Sequence, residues 1–306
     1  MQKYLLKRFL SLLGTLFGVS ILVFLMIHMI PGDPVRYIVG KNANEAAVKA
    51  MREQLGLDQP LITQYVDFFG KLLHGDLGTS LFTGIPVWEE IVNRFPITFQ
   101  LAVYGVVLGA VIGIFIGVIA AVKQNTLLDR LVNMLSMISI SAPDFWVILF
   151  VIYVFAYQLG WFPISGYDGF HSLVLPSLTL GLFSIGFIAK MTRSSMLDVI
   201  KQDYMRTAEA KGAAMWTRMF SHGLKNAVIP IITLIGLQFG GLLAGAVITE
   251  TVFALPGIGN FAIEAVSKRD IPTVQGVVLF VAMLYTLVNL ITDIVYSLFD
   301  PRVRYD

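Results

Sequence analysis

The chain has 306 residues, 56% of them hydrophobic and 14% charged, with a net charge of +2. Soluble domains carry about 25% charged residues, so the deficit, with several apolar runs near 20 residues, places the chain in a lipid bilayer. The near-neutral balance gives no reason for a nucleic-acid partner, and the absence of cysteine excludes disulfides, thiolate metal sites and cysteine nucleophiles.

Six apolar segments predict an all-α integral membrane protein with six transmembrane helices. The first, Phe9 to Ile30, has 22 residues without a formal charge, about 33 Å as a helix. Its basic flank imitates a signal peptide. The run is too long for one, however, and "HMIPGDP" after it offers no small-x-small cleavage site, so it is read as a retained span. The loop from Gly32 to Pro96 has helical spacing at Val48, Met51 and Leu55, then a Gly-Leu-Asp-Gln-Pro stop. A second periodic run, Ile62, Tyr65, Phe69, Leu72 and Leu73, makes it a small cap of short helices. The further spans are Ile97 to Val122, Leu131 to about Gln158 (interrupted by "SAPDFW"), about Ser172 to Ala189, about Ala227 to Thr249, and about Val274 to Phe299. The organisation is then an N-terminal span (1–31), an external loop subdomain (32–96) and a five-span core (97–306).

Basic residues set the orientation. Lys3, Lys7, Arg8, Lys123, Arg130, Lys190, Arg193, Lys201, Arg206, Lys211, Arg218, Lys225, Arg302 and Arg304 fall on one side, 14 of the 22 Lys and Arg. That side is expected to be cytoplasmic, with both termini on it.

Two carboxylates lie well within the spans. Asp144 follows Pro143, which opens the backbone ladder, and is expected to cap the freed amides or to contact the translocation path. Asp293 is expected to pair with Arg193 or another loop cation. Gly105, Gly109, Gly113 and Gly117 recur every four residues, a stripe that lets another helix approach closely; ordinary packing within the chain is expected there. In the fifth span Gly236 and Gly240, and Gly241 and Gly245, repeat the spacing. Glu250 then opens "ETVFALPGIGNF", where Pro256, Gly257 and Gly259 mark a turn after Phe253. The four histidines (His28, His74, His171, His222) show no ligand spacing, so no metal site is read.

Between the fourth and fifth spans, Leu197, Ile200, Tyr204 and Ala208 share one helical face. After Gly212 a new pattern begins with Met215, Trp216, Met219, Phe220 and Leu224. The spacing predicts two short amphipathic helices at about 195–224, hinged at Gly212, since glycine takes the positive φ that redirects a chain. Periodicity alone favours helices lying on lipid with their cations at anionic headgroups. A Met, Trp and Phe cluster also suits a groove on a partner protein.

The stretch "DYMRTAEAKG", with His222, Asn226 and Pro230 beyond it, resembles the cytoplasmic loop signature of permease subunits of ATP-binding-cassette importers. Thr207-Ala208-Glu209-Ala210 stands where that family has Glu-Ala-Ala, the form of its peptide and nickel branch. "HMIPGDP", "LGLDQPLITQY", "GDLGTS", "AAVKQN", "ETVFALPGIGNF", "KRDIP" and "DPRVRY" match that branch in order along the chain. The chain is similar to the first of the two permeases of dipeptide, oligopeptide and glutathione importers.

The resemblance implies the permease fold of type I importers and a plasma (inner) membrane location. It implies a coupling role for Thr207, Ala208, Ala210, Lys211 and Gly212, and for Met215, Trp216, Met219, Phe220 and His222 in the helix that follows. It places the fifth-span glycines around a pore and tilts Glu250, Phe253, Pro256, Gly257 and Gly259 towards an outer gate. The implied partners are a homologous second permease, two ATPase subunits and an external substrate-binding protein. ATP and Mg²⁺ belong to the ATPases, because Gly40-Lys41 and Gly70-Lys71 lack the Ser or Thr of a phosphate-binding loop. The expected cargo is dipeptides or oligopeptides, glutathione included. A nickel chelate is the alternative, and a self-sufficient secondary transporter would need buried charges or inverted repeats that are not visible. An intramembrane hydrolase lacks its catalytic groups.

Overall fold

In a computed structural model, residues 2–29, 35, 44–54 and 56–299 are described. Lys41, Arg302, Arg304 and the terminal "DPRVRY" motif lie wholly or largely outside them. Among the described residues the regular structure is helical, apart from one antiparallel bridge between Thr79 and Pro86.

The first span is α1, Gln2–Met29. Two short helices follow, α2 (Glu45–Gln54) and α3 (Leu61–Leu73), matching the two periodic runs. Helix α4, Val87–Val122, starts ten residues before the expected entry at Ile97 and runs through Pro96. Tertiary packing holds those extra turns, since Val87 and Ile91 are buried against Ile258, Phe261, Val277 and Phe280. At 36 residues α4 is about 54 Å long, and the bilayer core is about 30 Å, so its first turns stand beyond the hydrocarbon.

The third span is broken into α5 (Leu127–Ser141) and α6 (Asp144–Gln158), bent by 106°. Pro143 causes the break. It lacks an amide proton and forces its predecessor out of the helical region, and Ala142 is extended at φ −68°, ψ 136°. Helix α7, His171–Ile200, is the fourth span. The short α8, Asp203–Ala210, leads to α9, Met215–Ala244, the fifth span. Then come α10 (Val247–Val252), α11 (Ile258–Lys268) and the sixth span, α12 (Ile271–Phe299).

The glycine stripe decides the topology. A Cβ on Gly105 would lie 3.0 Å from that of Leu180, on Gly113 3.0 Å from that of Ile188, and on Gly117 2.6 Å from Thr192 Cβ. Residue numbers rise together on both helices, so α4 and α7 run parallel, backbone against backbone. The stripe is packing within the chain, as expected. Two parallel spans require the intervening segment to return across the membrane. The bent α5–α6 pair is therefore one crossing, and the chain crosses six times.

The other contacts agree with this. Gly236 of α9 meets Thr292 while Gly240 meets Tyr285, so α9 and α12 are antiparallel. Arg8 of α1 bonds Asp293 of α12 at 3.1 Å, so the start of the first span and the end of the last share one end of the bundle. Val118, Ala121, Met196, Met205, Met219 and Ala227 cluster at that same end, here called the basic end. Ile97, Leu173, Ala246, Phe253 and Leu255 cluster towards the other.

Replacing Gly117 by leucine puts side-chain atoms into the Ala189 carbonyl and Thr192, at 2.6 Å from the first added carbon. Overpacking of this kind costs about 1–3 kcal/mol. The thermal unfolding midpoint in detergent is expected to fall for Gly117→Leu and to stay near that of the parent for Gly241→Ala, whose Cβ meets nothing within 4 Å.

Candidate functional site

At the basic end α7 continues as helix to Ile200, so Leu197 and Ile200 close the fourth-span helix and do not begin a separate one. The chain turns at Lys201 and Gln202, then forms α8. Gly212 ends α8 with φ +78°. The Gly212 amide donates to Glu209 O at 2.9 Å and the Ala213 amide to Ala208 O at 3.1 Å. These two bonds make a Schellman cap, in which glycine takes the left-handed position without a Cβ penalty.

The expected second short helix is not separate. Met215 opens a helix continuous with the fifth span, passing through a π turn at Arg218–Gly223. The Leu224 amide bonds Met219 O, five residues back, and such turns are common at functional sites. The polar residues around His222 therefore belong to the part of α9 that stands out of the lipid.

Packing sorts the residues singled out here into two sets. Met205 and Met219 are buried with Met196 beneath α8, and Gly223 leaves room for the Met196 and Met205 methyl groups. Met219 is thus an anchor of the loop and no part of its exposed face. Arg218 reaches across the Gly212 turn to Glu209 at 2.8 Å, fastening α8 to α9. Thr207, Ala210, Lys211, Gly212 and His222 are exposed, and Ala208 is half-buried. Met215, Trp216 and Phe220 present a continuous apolar surface, with the Trp216 and Phe220 rings stacked at 5.9 Å. Beside it a cavity of about 170 Å³ opens between Val122, Leu197, Ile200 and Met215.

Two ion pairs stand where the sequence suggested one. Arg193 forks onto Asp129, with Nη2 2.8 Å from Oδ2. Asp293 bonds Arg8 instead. Asp129 also accepts from the Asn125 amide and the Asn133 side chain, and Asn125 takes φ 65° in the "AAVKQN" turn. Asp129 was not singled out in the sequence because it lies at the polar margin of a span, where carboxylates are ordinary.

Towards the other end, Glu250 is completely buried. Thr98 of α4 donates to Glu250 Oε1 at 2.6 Å, and the Asn260 amide donates to Oε2 at 3.0 Å. The Ile258 amide donates to Thr98 Oγ1 at 2.9 Å. Gly257 is required here by close approach: a Cβ would sit 2.3 Å from the Glu250 carboxyl carbon. At Gly259 a Cβ would lie 2.6 Å from the Val247 backbone. Pro256 is half-buried in the same turn. The motif thus wraps its own first residue. Phe253, expected at the outer gate, is 2% exposed, and its carbonyl accepts from the Gly166 amide at 2.8 Å.

A second buried carboxylate, missed in the sequence, joins two of the quoted motifs. Asp270 of "KRDIP" accepts from Ser80 Oγ of "GDLGTS" at 2.6 Å, from the Leu81 amide and from Thr273 Oγ1. Motifs 190 residues apart in sequence are one structure in space.

Asp144 makes no cap. The freed amides of Trp146 and Val147 bond the Pro143 carbonyl, and Asp144 sits exposed in the first turn of α6. Gly236 and Gly240 face α12 of the same chain, Gly241 is exposed, and Gly245 ends the regular helix before α10. Among the described residues no group of His, Cys, Asp and Glu is placed to hold a metal.

Six crossings with a capped short helix between the fourth and fifth define the permease subunit of a type I importer. Residues 113–305 match the family of binding-protein-dependent transport system inner membrane components, and residues 1–102 match its N-terminal membrane component. The chain belongs to this family and is a multi-pass transport subunit, not an enzyme. Over their full lengths it is 43% identical to the glutathione transport system permease protein GsiC of Shigella flexneri serotype 5b (strain 8401) and 42% identical to that of Escherichia coli (strain K12). Among solved structures, the MetNI methionine ABC transporter in an inward-facing conformation matches with a TM-score of 0.59 at 19% identity, covering 69% of this chain and 96% of that one. An amino acid ABC transporter crystallised with histidines matches at 0.51 and 18%, covering 70% and 94%. These two likenesses concern the fold.

Removing the hydroxyl of Thr98 takes a donor from Glu250 and an acceptor from the Ile258 amide. A buried group left unsatisfied costs about 1–3 kcal/mol. Thr98→Val is expected to lower the unfolding midpoint in detergent while Thr98→Ser retains it; equal midpoints for both variants would show that the hydroxyl does not hold the turn.

Proposed function

We propose that this chain carries small peptides, glutathione among them, into the cytoplasm as one of two permeases in an ATP-driven importer. The whole-length likeness to glutathione permeases supports the cargo class. The mechanism rests on one observation: α8 is a short, capped helix held between the ends of two spans, with its outer surface uncovered.

In this reading the basic end faces the cytoplasm, as the distribution of Lys and Arg suggests. Two ATPase subunits bind ATP and Mg²⁺ and close on each other. Thr207, Ala208, Ala210, Lys211 and Gly212, with Met215, Trp216, Phe220 and His222, form the surface that enters a groove on one of them. Met219 anchors that surface from beneath. Because α9 is continuous from Met215 to Ala244, a displacement at Trp216 is carried along a rod into the fifth span. The Glu209–Arg218 bridge makes α8 move with it. A second, homologous permease supplies the other half of the path, and the cavity alternates between the two faces of the membrane. Gly241, Gly245 and Asp144 line that path. An external binding protein delivers substrate at the end where Glu250, Phe253, Pro256, Gly257 and Gly259 form the wrapped turn, which acts as the outer gate.

Two results test the reading. Proteoliposomes holding the chain with its second permease, ATPases and binding protein are expected to take up labelled glutathione or dipeptide only with ATP. Uptake by this chain alone would overturn the proposal. Gly212→Pro fixes φ near −65° and removes the amide that bonds Glu209. It is expected to abolish substrate-stimulated ATP hydrolysis while the protein stays in the membrane, and retained stimulation would exclude α8 as the coupling element.

A further inference from the structure

The cavity at the basic end is walled by three helices. Val122 closes it at the end of α4, Leu197 and Ile200 at the end of α7, and Met215 and Met219 at the start of α9. Met219 is itself buried in the cluster with Met196 and Met205, so that wall is fixed.

The cavity lies beyond the hydrocarbon. The charge-free stretch of α7 ends at Ala189, and Lys190, Arg193 and Asp198 follow. Ile200 is 11 residues past Ala189, about 16 Å further along the axis. Two exposed polar side chains, Gln124 and Lys201, complete the lining at the mouth. An apolar hollow at this depth opens to water, and acyl chains do not reach it.

Size and charge define the occupant. An engineered apolar cavity of about 150 Å³ takes up benzene, and drug-sized ligands need about 300 Å³ or more. At about 170 Å³ this cavity holds one aromatic or branched aliphatic side chain, not a helix or a peptide. No carboxylate lines it, and Lys201 forms no ion pair among the described residues. Met215 joins the cavity to the exposed surface of Trp216 and Phe220, so whatever covers that surface also stands over the mouth.

We propose that the cavity receives one apolar side chain of an ATPase subunit, flanked there by a carboxylate that pairs with Lys201. The proposal rests on the reading that α8 and the start of α9 meet an ATPase, and it makes the insertion reciprocal: α8 enters the ATPase, and the ATPase enters the joint behind α8. The inserted side chain touches the ends of α4, α7 and α9 at once. It therefore grips the parallel pair of spans and the fifth-span rod at a single point.

The chain has no cysteine, so a probe can be attached at one chosen position before assembly. Gln124→Cys at the mouth and Lys211→Cys beside the Gly212 cap each receive a short thiol-linked diazirine. Each full chain is assembled with its second permease and both ATPases in proteoliposomes and irradiated, and the linked residues are located by mass spectrometry. The proposal expects position 124 to link to an ATPase at an apolar residue that has Asp or Glu beside it. Links from 124 only to this chain or to lipid, with 211 linked to an ATPase, would overturn the insertion and leave the docking of α8 standing. Failure of both positions to reach an ATPase would overturn both. Lys201→Glu reverses an exposed charge and is expected to keep the unfolding midpoint in detergent. It is expected to bind purified ATPase about tenfold more weakly, with the loss larger at low salt. Unchanged binding would overturn the pairing with Lys201.

Discussion

The close, parallel contact of α4 and α7 is the constraint on which the architecture depends. Lipid gives no hydrophobic drive between helices, so association rests on van der Waals contact, and that contact grows as backbones approach. Four glycines on one stripe allow the approach, and at each of them a Cβ would fall 2.4–3.0 Å from an α7 side chain. Because the two spans run the same way, the intervening residues must recross the membrane. Pro143 then has its place: the crossing is made by two helices set at an angle, with the break at Ala142 and Pro143.

Three buried or nearly buried carboxylates hold what the glycines bring together. Asp129 ties α5 to α7 through Arg193, Glu250 ties the turn after the fifth span to α4 through Thr98, and Asp270 ties the start of α12 to the segment before α4 through Ser80. Each accepts several hydrogen bonds, which is what makes a carboxylate tolerable in a low-dielectric interior. Apolar spans can slide or rotate against one another at small cost, and these pins fix depth and rotation. At the basic end, α8 is exposed on its outer side and fastened mainly by Met205 and the Glu209–Arg218 bridge. In the proposed function it is the element through which a partner moves the ends of α7 and α9 together.

Much of this was legible in the sequence. Hydropathy located all six spans, because about 20 apolar residues in a row have few other uses. Gly212 was legible as a hinge because a left-handed residue between two helical patterns favours glycine. The seam of Gly105 to Gly117 was legible as a close-approach surface, though its partner was not, since a stripe says what can come near and not which helix does. Asp293 was matched to the wrong arginine for the same reason: Arg8 is distant in sequence, and only the antiparallel contact of α1 and α12 brings it near. The continuity of α9 was hidden by its composition. Polar residues around His222 imply the end of a helix when spans are sought by hydropathy, yet a helix continues past the lipid wherever its backbone bonds are satisfied. The pairing of "GDLGTS" with "KRDIP" left no local signal, because each motif alone is an ordinary turn.

The central claim is that the end of the bundle carrying α8 lies in the cytosol, where nucleotide-driven force can reach it. A cysteine introduced at Lys211, exposed beside the Gly212 cap, reads this directly with a thiol reagent that cannot cross membranes. The account predicts labelling in inside-out vesicles and none in intact right-side-out cells. Labelling of intact cells at that position would contradict the orientation, and with it the route by which ATP hydrolysis is coupled to transport.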